Sequence, residues 1–181
     1  MTATTIALGH LIDAFTFAHG ELKTVFATST TQYPVVIFVD EAGVPTGETT
    51  PSQSYDHFSV IGELESGASY NIHVRSGEKF LPSRKTFEWV IDGEDGTILL
   101  TATGPTGSFI NIFDPEVFVD GEKVDLGGPV GGALYNIGNI WGSFADGKEG
   151  SYPTIDDAVR NHARLDAIEK SLSEGRAVTL L

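Results

Sequence analysis

The chain has no cysteine and few basic residues. Of its 181 residues, 25 are acidic and only 11 are lysine or arginine, which gives a formal net charge of −14 at pH 7. The lack of cysteine excludes disulfide scaffolds, thiolate metal sites and cysteine nucleophiles. The shortage of basic residues argues against a nucleic-acid partner, because phosphate contacts need clustered lysine and arginine.

Long hydrophobic runs and a basic leader are missing as well. No segment approaches the roughly 18 consecutive apolar residues of a membrane span. The first residues, MTATTIALGH, lack the basic region of a signal peptide. With 40% hydrophobic residues, a chain of this length is able to bury a sizeable core. We therefore expect a cytoplasmic protein without a membrane partner.

Several catalytic and cofactor motifs are also absent from the sequence. No G-x-G-x-x-G lies between a predicted strand and a predicted helix, and the nearest glycines, at 127–132, are interrupted by Pro129. No two histidines have the His-x-x-x-His spacing of a metal site, and no G-x-S-x-G elbow occurs. We expect the chain to bind neither NAD nor NADP, and we predict no cofactor and no metal.

The hydrophobic pattern predicts helices at both ends of the chain and strands between them. Residues 10–19 have helical spacing and are followed by Gly20, and residues 154–174 combine a capping Thr154 with an apolar stripe. A shorter helix is predicted over 133–145. Strands are predicted over 21–33, 57–76, 86–103, 109–113 and 117–124, and residues 40–56 are predicted to be a polar loop.

The predicted hairpin at 57–76 has a defined polar face. We pair Glu65 with Ser69 across the turn, because this register puts both apolar sets on one face. The opposite face then carries polar side chains, namely Ser59, Glu63, Asn71, His73 and Arg75. The whole pattern predicts one α+β domain over residues 1–181. Its single, mostly antiparallel sheet has about six or seven strands, and the helices pack on one face.

Three segments, taken in order, resemble a known family. They are the His10-x-x-Asp13 helix, the phrase VIDGEDGTILL and the closing PTIDDAVRNHARLDAIEKSLSEGRAVTL. Together they resemble the C-terminal domain of Gfo/Idh/MocA oxidoreductases, in the branch of the galactose-pathway repressor. In that family a nucleotide-binding domain comes first. The resemblance therefore implies a substrate-side half with no nucleotide-binding domain before His10.

The resemblance and the helical spacing point to the same candidate site. His10 matches the family's catalytic histidine and Asp13 its companion, whereas Ile6 stands where family dehydrogenases often carry an aspartate. Residues at i and i+3 share a helix face, so Asp13 is placed to orient His10 as a general base or acid. The alternative is a histidine that packs against the sheet, with Asp13 serving a loop amide.

Two further groups are candidates for substrate binding. Asn71, His73 and Arg75 share the polar sheet face and could hold a polar or anionic group, although such a face is commonly solvated or a subunit interface. Tyr135 and Trp141 could form an apolar wall, although apolar residues at helical spacing are commonly core.

Three functions remain open from the sequence. The first is a cofactor-independent enzyme that uses His10 for isomerisation, cyclisation or elimination on a small molecule. The second is a non-catalytic ligand-binding or regulatory protein, and the third is the substrate domain of an NAD(P)-dependent oxidoreductase. In each case we expect a homodimer or a higher even oligomer, assembled through the open sheet face as the relatives are.

Overall fold

The computed structural model describes residues 6, 8–77, 81, 84–103, 115–125, 127 and 133–180. These residues form three helices and ten strands. The chain divides into two compact units, residues 1–78 with 156–181, and residues 79–155. The elements in chain order are α1 (Gly9–His19), β1 (Leu22–Thr30), β2 (Val35–Val39), β3 (Pro45–Pro51), β4 (His57–Leu64), β5 (Ser69–Arg75), β6 (Phe87–Asp92), β7 (Thr97–Ala102), β8 (Glu116–Val119), β9 (Glu122–Val124), α2 (Ala133–Ala145), α3 (Ile155–Glu174) and β10 (Val178–Thr179).

The first unit is built on an antiparallel sheet in the order β10-β1-β4-β5. Alternate residues of its strands are buried, as expected where one face meets a helical layer. The helices α1 and α3 cover that face with fully buried Ile12 and Ile168. The sheet contributes its own core residues, Leu22, Val25, Ala27, Phe58, Val60, Leu64 and Tyr70.

A serine hydroxyl joins α3 to the central strand β1. Ser171 is fully buried; its Oγ accepts a hydrogen bond from Ala27 N at 2.9 Å and donates one to Arg176 O at 2.7 Å. Strand β10 pairs with β1 only at Val178 and Thr179, so the hydroxyl takes the place of the next ladder bond. Buried backbone groups need such partners.

A tyrosine packs over a glycine beside a bulge in β1. The pairing of β1 with β4 shifts between Leu22 and Thr24, and Tyr70 Oη donates a hydrogen bond to Thr24 O at 3.0 Å. A Cβ on Gly62 would lie 1.9 Å from Thr24 O and 2.8 Å from Tyr70 Oη. Only glycine leaves room for this arrangement.

The first unit also contains a separate two-stranded hairpin, which lies between β1 and β4 in the chain. Strands β2 and β3 pair with each other, and we call this hairpin the arm. At its base, the Asp56 carboxylate accepts hydrogen bonds from Gln32 N at 2.8 Å and Tyr33 N at 2.7 Å, and contacts His57 Nδ1 at 2.7 Å. Desolvation opposes ionisation of Asp56, but these hydrogen bonds outweigh it and hold its pKa below the ordinary value.

The second unit contains an antiparallel sheet in the order β6-β7-β8-β9 and the helix α2. The turn between β8 and β9 places Asp120 at a φ of 52°. Its carboxylate accepts a hydrogen bond from Thr97 N at 2.9 Å, which fixes the turn beside the start of β7. In the described part of the chain, no helix is long and apolar enough to cross a membrane, and the cytoplasmic location stays a prediction.

The predicted α+β class with antiparallel pairing is confirmed. The strand number is higher than expected, ten in the described residues. They fall into three hydrogen-bonded groups, not one sheet. The division into two compact units leaves the single domain over 1–181 a prediction. The predicted strand at 109–113 lies outside the described residues.

Two local predictions need correction. Most of the predicted polar loop at 40–56 belongs to the arm, because Pro45–Pro51 pairs with β2 despite its two prolines. The predicted register Glu65 opposite Ser69 is also wrong, since Glu63 lies opposite Ser69. The shift is two residues, so each side chain keeps the face predicted for it.

Gly62→Ala should destabilise the protein strongly. The added Cβ would meet the backbone oxygen of Thr24 at 1.9 Å, so β1 or β4 must move, at a cost of about 3 kcal/mol or more. Gly138→Ala, in α2 where the new Cβ meets nothing beyond its own helix backbone within 4 Å, is the control and should be neutral or stabilising. Urea unfolding monitored by circular dichroism measures both, and equal stability of the two variants would contradict the packing described.

Stability should fall in alkaline solution because of Tyr70. Burial raises the pKa of Tyr70 from its ordinary 10.0 to about 12. Between these values the unfolded chain releases the proton while the folded chain keeps it. The free energy of unfolding should therefore be unaffected by this group below pH 10 and should drop by on the order of 2–3 kcal/mol by pH 12. Tyr70→Phe should remove this part of the pH dependence, and an unchanged profile in that variant would refute the assignment.

Candidate functional site

The first turn of α1 is anchored while its histidine is exposed. Leu8 and Ile12 are fully buried, and a Cβ on Gly9 would lie 3.3 Å from the side chain of Leu165. Asn161 Nδ2 also donates a hydrogen bond to Gly9 O at 3.1 Å. His10 follows directly and is exposed. The backbone next to His10 is thus held against α3, whereas the His10 imidazole is exposed to solvent.

Asp13 belongs to an ionic group centred on a buried arginine. The Arg164 side chain is only 7% exposed; its Nη2 lies 2.7 Å from Glu21 Oε1 and its Nε lies 3.0 Å from Glu21 Oε2. Arg164 Nη1 lies 3.9 Å from Asp13 Oδ1, and Asp13 is 58% exposed. A buried guanidinium needs such counter-charges, because an isolated charge in the interior is very costly.

The structure puts His10 and Asp13 on the same exposed face of α1, as the spacing predicts. No hydrogen bond is formed between these two described side chains. The nearest described charge to the Asp13 carboxylate is Arg164, at 3.9 Å, and its action on His10 stays a prediction. Phe17 continues this face of α1 and is 94% exposed, so an ionisable group and an apolar ring lie on one helix surface.

The polar sheet residues lie on the other side of the same sheet. Asn71, His73 and Arg75 are exposed, and their register opposite Ile61, Ser59 and His57 puts them on the face away from α1 and α3. We call this the open face, formed by Phe26, Thr28, Ser59, Ile61, Glu63, Asn71, His73 and Arg75. His73 Nδ1 lies 2.8 Å from Ser59 Oγ. The sheet separates these residues from His10, so the structure does not bring the two groups together.

The predicted aromatic wall lies in the second unit. On α2, Tyr135 is 50% and Trp141 65% exposed. The Trp141 ring meets Phe144 edge-on at 6.0 Å, and Phe144 meets Tyr152 at 5.3 Å. Trp141 and Phe144 on α2 and Tyr152 after it form a local aromatic cluster, and the role of Tyr135 and Trp141 in binding a substrate stays a prediction. A cleft of about 350 Å³ in the same unit, lined by Leu99, Thr101, Glu116 and Phe118 among others, contains none of the predicted site residues.

Sequence reasoning missed the residues that support α1 from α3. Arg164 and Asn161 lie on the buried side of α3 together with Leu165 and Ile168. A charged residue within an apolar helical stripe was the available signal, since such a residue is rarely buried without a partner. Nothing in the sequence indicated that the partner would be Glu21, 143 residues away. Within the described ranges, no three His, Asp or Glu side chains are grouped as metal ligands.

Glu21→Gln should destabilise the protein more than Glu63→Gln. Both carboxylates are 42% exposed, but Glu21 faces an arginine that is 7% exposed and Glu63 a lysine that is 50% exposed. Loss of the charge on Glu21 leaves Arg164 with distant Asp13 alone, and we expect a cost of about 2 kcal/mol. The exposed pair should contribute at most about 0.5 kcal/mol. Chemical denaturation at low and high salt compares them, and equal losses would show that burial of Arg164 does not matter.

Comparisons with known proteins agree on the family. The family model described as "Gal80p, C-terminal domain" matches residues 1–102. The dehydrogenase aclE of Aspergillus oryzae is 28% identical over 186 residues, which cover 97% of this chain and 47% of that protein. The chain thus spans about half the length of this relative.

Solved structures show the same fold at lower identity. A super-repressor mutant of Gal80p from Saccharomyces cerevisiae superposes with a TM-score of 0.84 at 19% identity, over 99% of this chain and 50% of that one. An NAD binding oxidoreductase from Klebsiella pneumoniae superposes with a TM-score of 0.67 at 18% identity. The match covers 97% of this chain and 50% of that one. The resemblance to C-terminal domains of the Gfo/Idh/MocA type is confirmed. Since the family model covers more than half of the chain, the protein belongs to the Gal80p C-terminal domain-like family.

Proposed function

We propose that this chain is the substrate-side half of an oxidoreductase and that His10 exchanges a proton with the substrate. The observation that carries the proposal is the exposed imidazole of His10 on the anchored first turn of α1. The 28% identity to a dehydrogenase over nearly the whole chain supports it. Oxidation of an alcohol requires a base for the hydroxyl proton, and a histidine is suited to this near neutral pH.

The residues of this chain do not fit a dinucleotide. The sequence has no G-x-G-x-x-G loop between a strand and a helix, and such a loop is what brings backbone amides to a pyrophosphate. A nicotinamide cofactor would have to be held by a separate nucleotide-binding unit. The role of this chain is then to bind and orient the substrate and to accept or return a proton at the His10 imidazole.

Asp13 is a positioning residue in this proposal. Its carboxylate is 58% exposed and lies 3.9 Å from Arg164, so a fraction of its charge is offset before it acts on His10. Asp13 shares a helix face with His10 but does not itself take the substrate proton. The loss of Asp13 should therefore cost less than the loss of the base itself.

A regulatory, ligand-binding role is the second candidate. The Gal80p super-repressor mutant shares the fold at a TM-score of 0.84, and the family model carries its name. The cofactor-independent isomerisation, cyclisation or elimination expected from the sequence has no support, because the similar proteins named above are a dehydrogenase, an oxidoreductase and Gal80p.

We also propose that two copies associate through the open face. Ile61 is 44% exposed there, and Phe26 lies directly opposite it on β1. Thr28, Ser59 and Asn71 lie beside this pair, and Glu63 on the same face has its charge paired with Lys23. Such a face suits the isologous contact of a homodimer.

His10→Ala should lower turnover by about 10²–10⁴-fold with the fold intact, because a positioned general base contributes about this much. Asp13→Asn should lower it less. His162→Ala, at an exposed histidine of α3, is the control and should leave turnover unchanged. The assay follows NAD(P)-linked oxidation of small polyols and hydroxy acids, with this chain joined to or mixed with its nucleotide-binding unit.

Two outcomes would overturn this assignment. Turnover of His10→Ala at the rate of the unchanged protein would remove His10 from the chemistry. A complete lack of turnover, together with a change in ligand affinity in His10→Ala, would favour the regulatory role. Calorimetric titration of the same ligands with both proteins measures that affinity.

A further inference from the structure

The two outer edges of the arm differ in their backbone groups. In the described part of the chain, β2 and β3 form a sheet of two strands, so each strand has one edge that faces away from its partner. A strand edge with unpaired N–H and C=O groups is a template for pairing with a further strand. Whether an edge can accept one depends on which residues direct these groups outwards.

The base of the arm shows the orientation of the first pair. Val35 lies opposite Pro51, and Ser52 N donates a hydrogen bond to Pro34 O at 2.9 Å. A bond between the residues that flank a pair in this way identifies a non-hydrogen-bonded pair, whose own amide and carbonyl groups point away from the partner strand. The backbone groups of Val35 therefore point outwards from β2.

The tip of the arm has the same orientation. Val39 lies opposite Pro45, and Asp40 N donates a hydrogen bond to Val44 O at 2.9 Å. Between base and tip, alternation of the ladder gives the same orientation to the pair two residues beyond Val35. The outward-facing residues are thus Val35, Ile37 and Val39 on β2, and Pro45, Thr49 and Pro51 on β3.

Only the edge of β2 offers a complete set of donors. Two of the three outward-facing residues of β3 are prolines, which have no N–H to donate, and proline is typical of strand edges that stay unpaired. The outward-facing residues of β2 are two valines and an isoleucine, each with a donor and an acceptor. An added strand is therefore excluded along β3 and accommodated along β2.

The side chains of β2 favour a strand beside it. All five residues, Val35 to Val39, are apolar and between 42% and 57% exposed. An uninterrupted apolar strand is typical of strands with neighbours that cover them, and a lone two-stranded hairpin is at best marginally stable in water. A third strand with apolar side chains would shield those of β2 on both faces.

The charges of the arm select the chemistry of the partner. Residues 33–56 contain four carboxylates and no lysine, arginine or histidine. Asp56 is bonded to the backbone at the base, whereas Glu41 and Glu48 are exposed. In a chain with a net charge of −14, a second copy or another acidic segment is repelled, and a segment with basic residues is attracted.

We infer that the outer edge of β2 binds an extended apolar segment of another protein, with lysine or arginine at its ends, as a third strand of the arm. Main-chain hydrogen bonds to Val35, Ile37 and Val39 supply affinity, and apolar side chains cover β2. The carboxylates around β2 select the basic ends. This partner site goes beyond the proposed function and does not depend on it.

The first test titrates the full chain with two fluorescein-labelled synthetic peptides and measures anisotropy. The lysine peptide has the sequence KVTVTVK, and the control replaces both lysines by glutamate. The lysine peptide should bind saturably and more weakly at high salt, because its charges are screened there. The glutamate peptide should bind at least tenfold more weakly. Equal affinities, or no binding of the lysine peptide, would overturn the inference.

Two proline variants at directly opposite positions separate the edge from the rest of the arm. Ile37→Pro removes an outward-facing amide of β2, and Thr49→Pro removes the one opposite it on β3, so each leaves the ladder between the two strands intact. Ile37→Pro should weaken binding of the lysine peptide about tenfold or more, because a donor is lost and the ring stands in the path of the added strand. Thr49→Pro should leave the affinity unchanged, and equal losses would contradict an edge site.

A change in the peptide makes the test independent of how the variants fold. Two versions of the lysine peptide carry N-methyl groups at alternate residues, one on each set. A strand presents alternate amides to its two sides, so one version should lose binding to the unchanged chain and the other should keep it. Equal affinity of both versions would show that the peptide does not add as a strand, and the inference would be wrong.

Amide hydrogen exchange of the ¹⁵N-labelled chain tests whether the edge is open. The amides of Val35 and Ile37 should exchange quickly in the free protein, whereas that of Val36, which pairs with Thr50, should exchange slowly. The lysine peptide should protect the two outward-facing amides. Protection without peptide would mean that the chain itself or a second copy covers the edge, which overturns the inference. Sedimentation velocity then tells these two occupants apart.

Discussion

The first unit depends on the attachment of α3 to strand β1 by two buried polar side chains. Arg164 binds the carboxylate of Glu21 at the start of β1, and Ser171 replaces a ladder bond at Ala27. Both contacts join residues more than 140 positions apart, so they close the unit around everything between them. Because α1 rests on Leu165 and Asn161 of the same helix, the position of His10 follows from this attachment. Loss of one partner from such a buried polar contact destabilises the fold, because the polar group that remains is buried without a hydrogen bond.

The parts of the fold that could be predicted are those governed by local periodicity. The alternation in β4 and β5 places Asn71 and His73 on the open face, and this assignment survives a register error of two residues, because side chains alternate with a period of two. The register itself depends on the turn: Leu64 N bonds to Ala68 O, whereas the predicted register places Leu64 opposite Tyr70. The end of α1 at Gly20 and the acidic first turn of α3 were likewise readable from single positions.

The arm and the ionic group around Arg164 were not predictable, for two different physical reasons. Pro45 and Pro51 bound a strand that pairs on one side only, where a missing amide is tolerated, so prolines that usually mark a loop are compatible with β3 here. Arg164 and Glu21 meet through tertiary packing, and no pattern in one sequence shows which distant carboxylate neutralises a buried guanidinium. The shared helix face of His10 and Asp13 follows from their spacing, and their choice as site residues from the family resemblance, but the counter-charge that Asp13 meets at Arg164 does not follow from either.

The distribution of charge relates the surfaces of the first unit to one another. Acidic residues dominate the chain, yet strand β2 carries no charged residue, and on the open face Glu63 is paired with Lys23. The exposed face of α1 combines His10 with Asp13 and Phe17. A neutral surface on an acidic protein is where a partner meets the least electrostatic repulsion, whereas an imidazole beside a carboxylate is suited to proton transfer. The sheet lies between the open face and α1, so association on one side leaves the histidine on the other side accessible. The proposed assembly and the proposed chemistry therefore lie on opposite faces of one sheet.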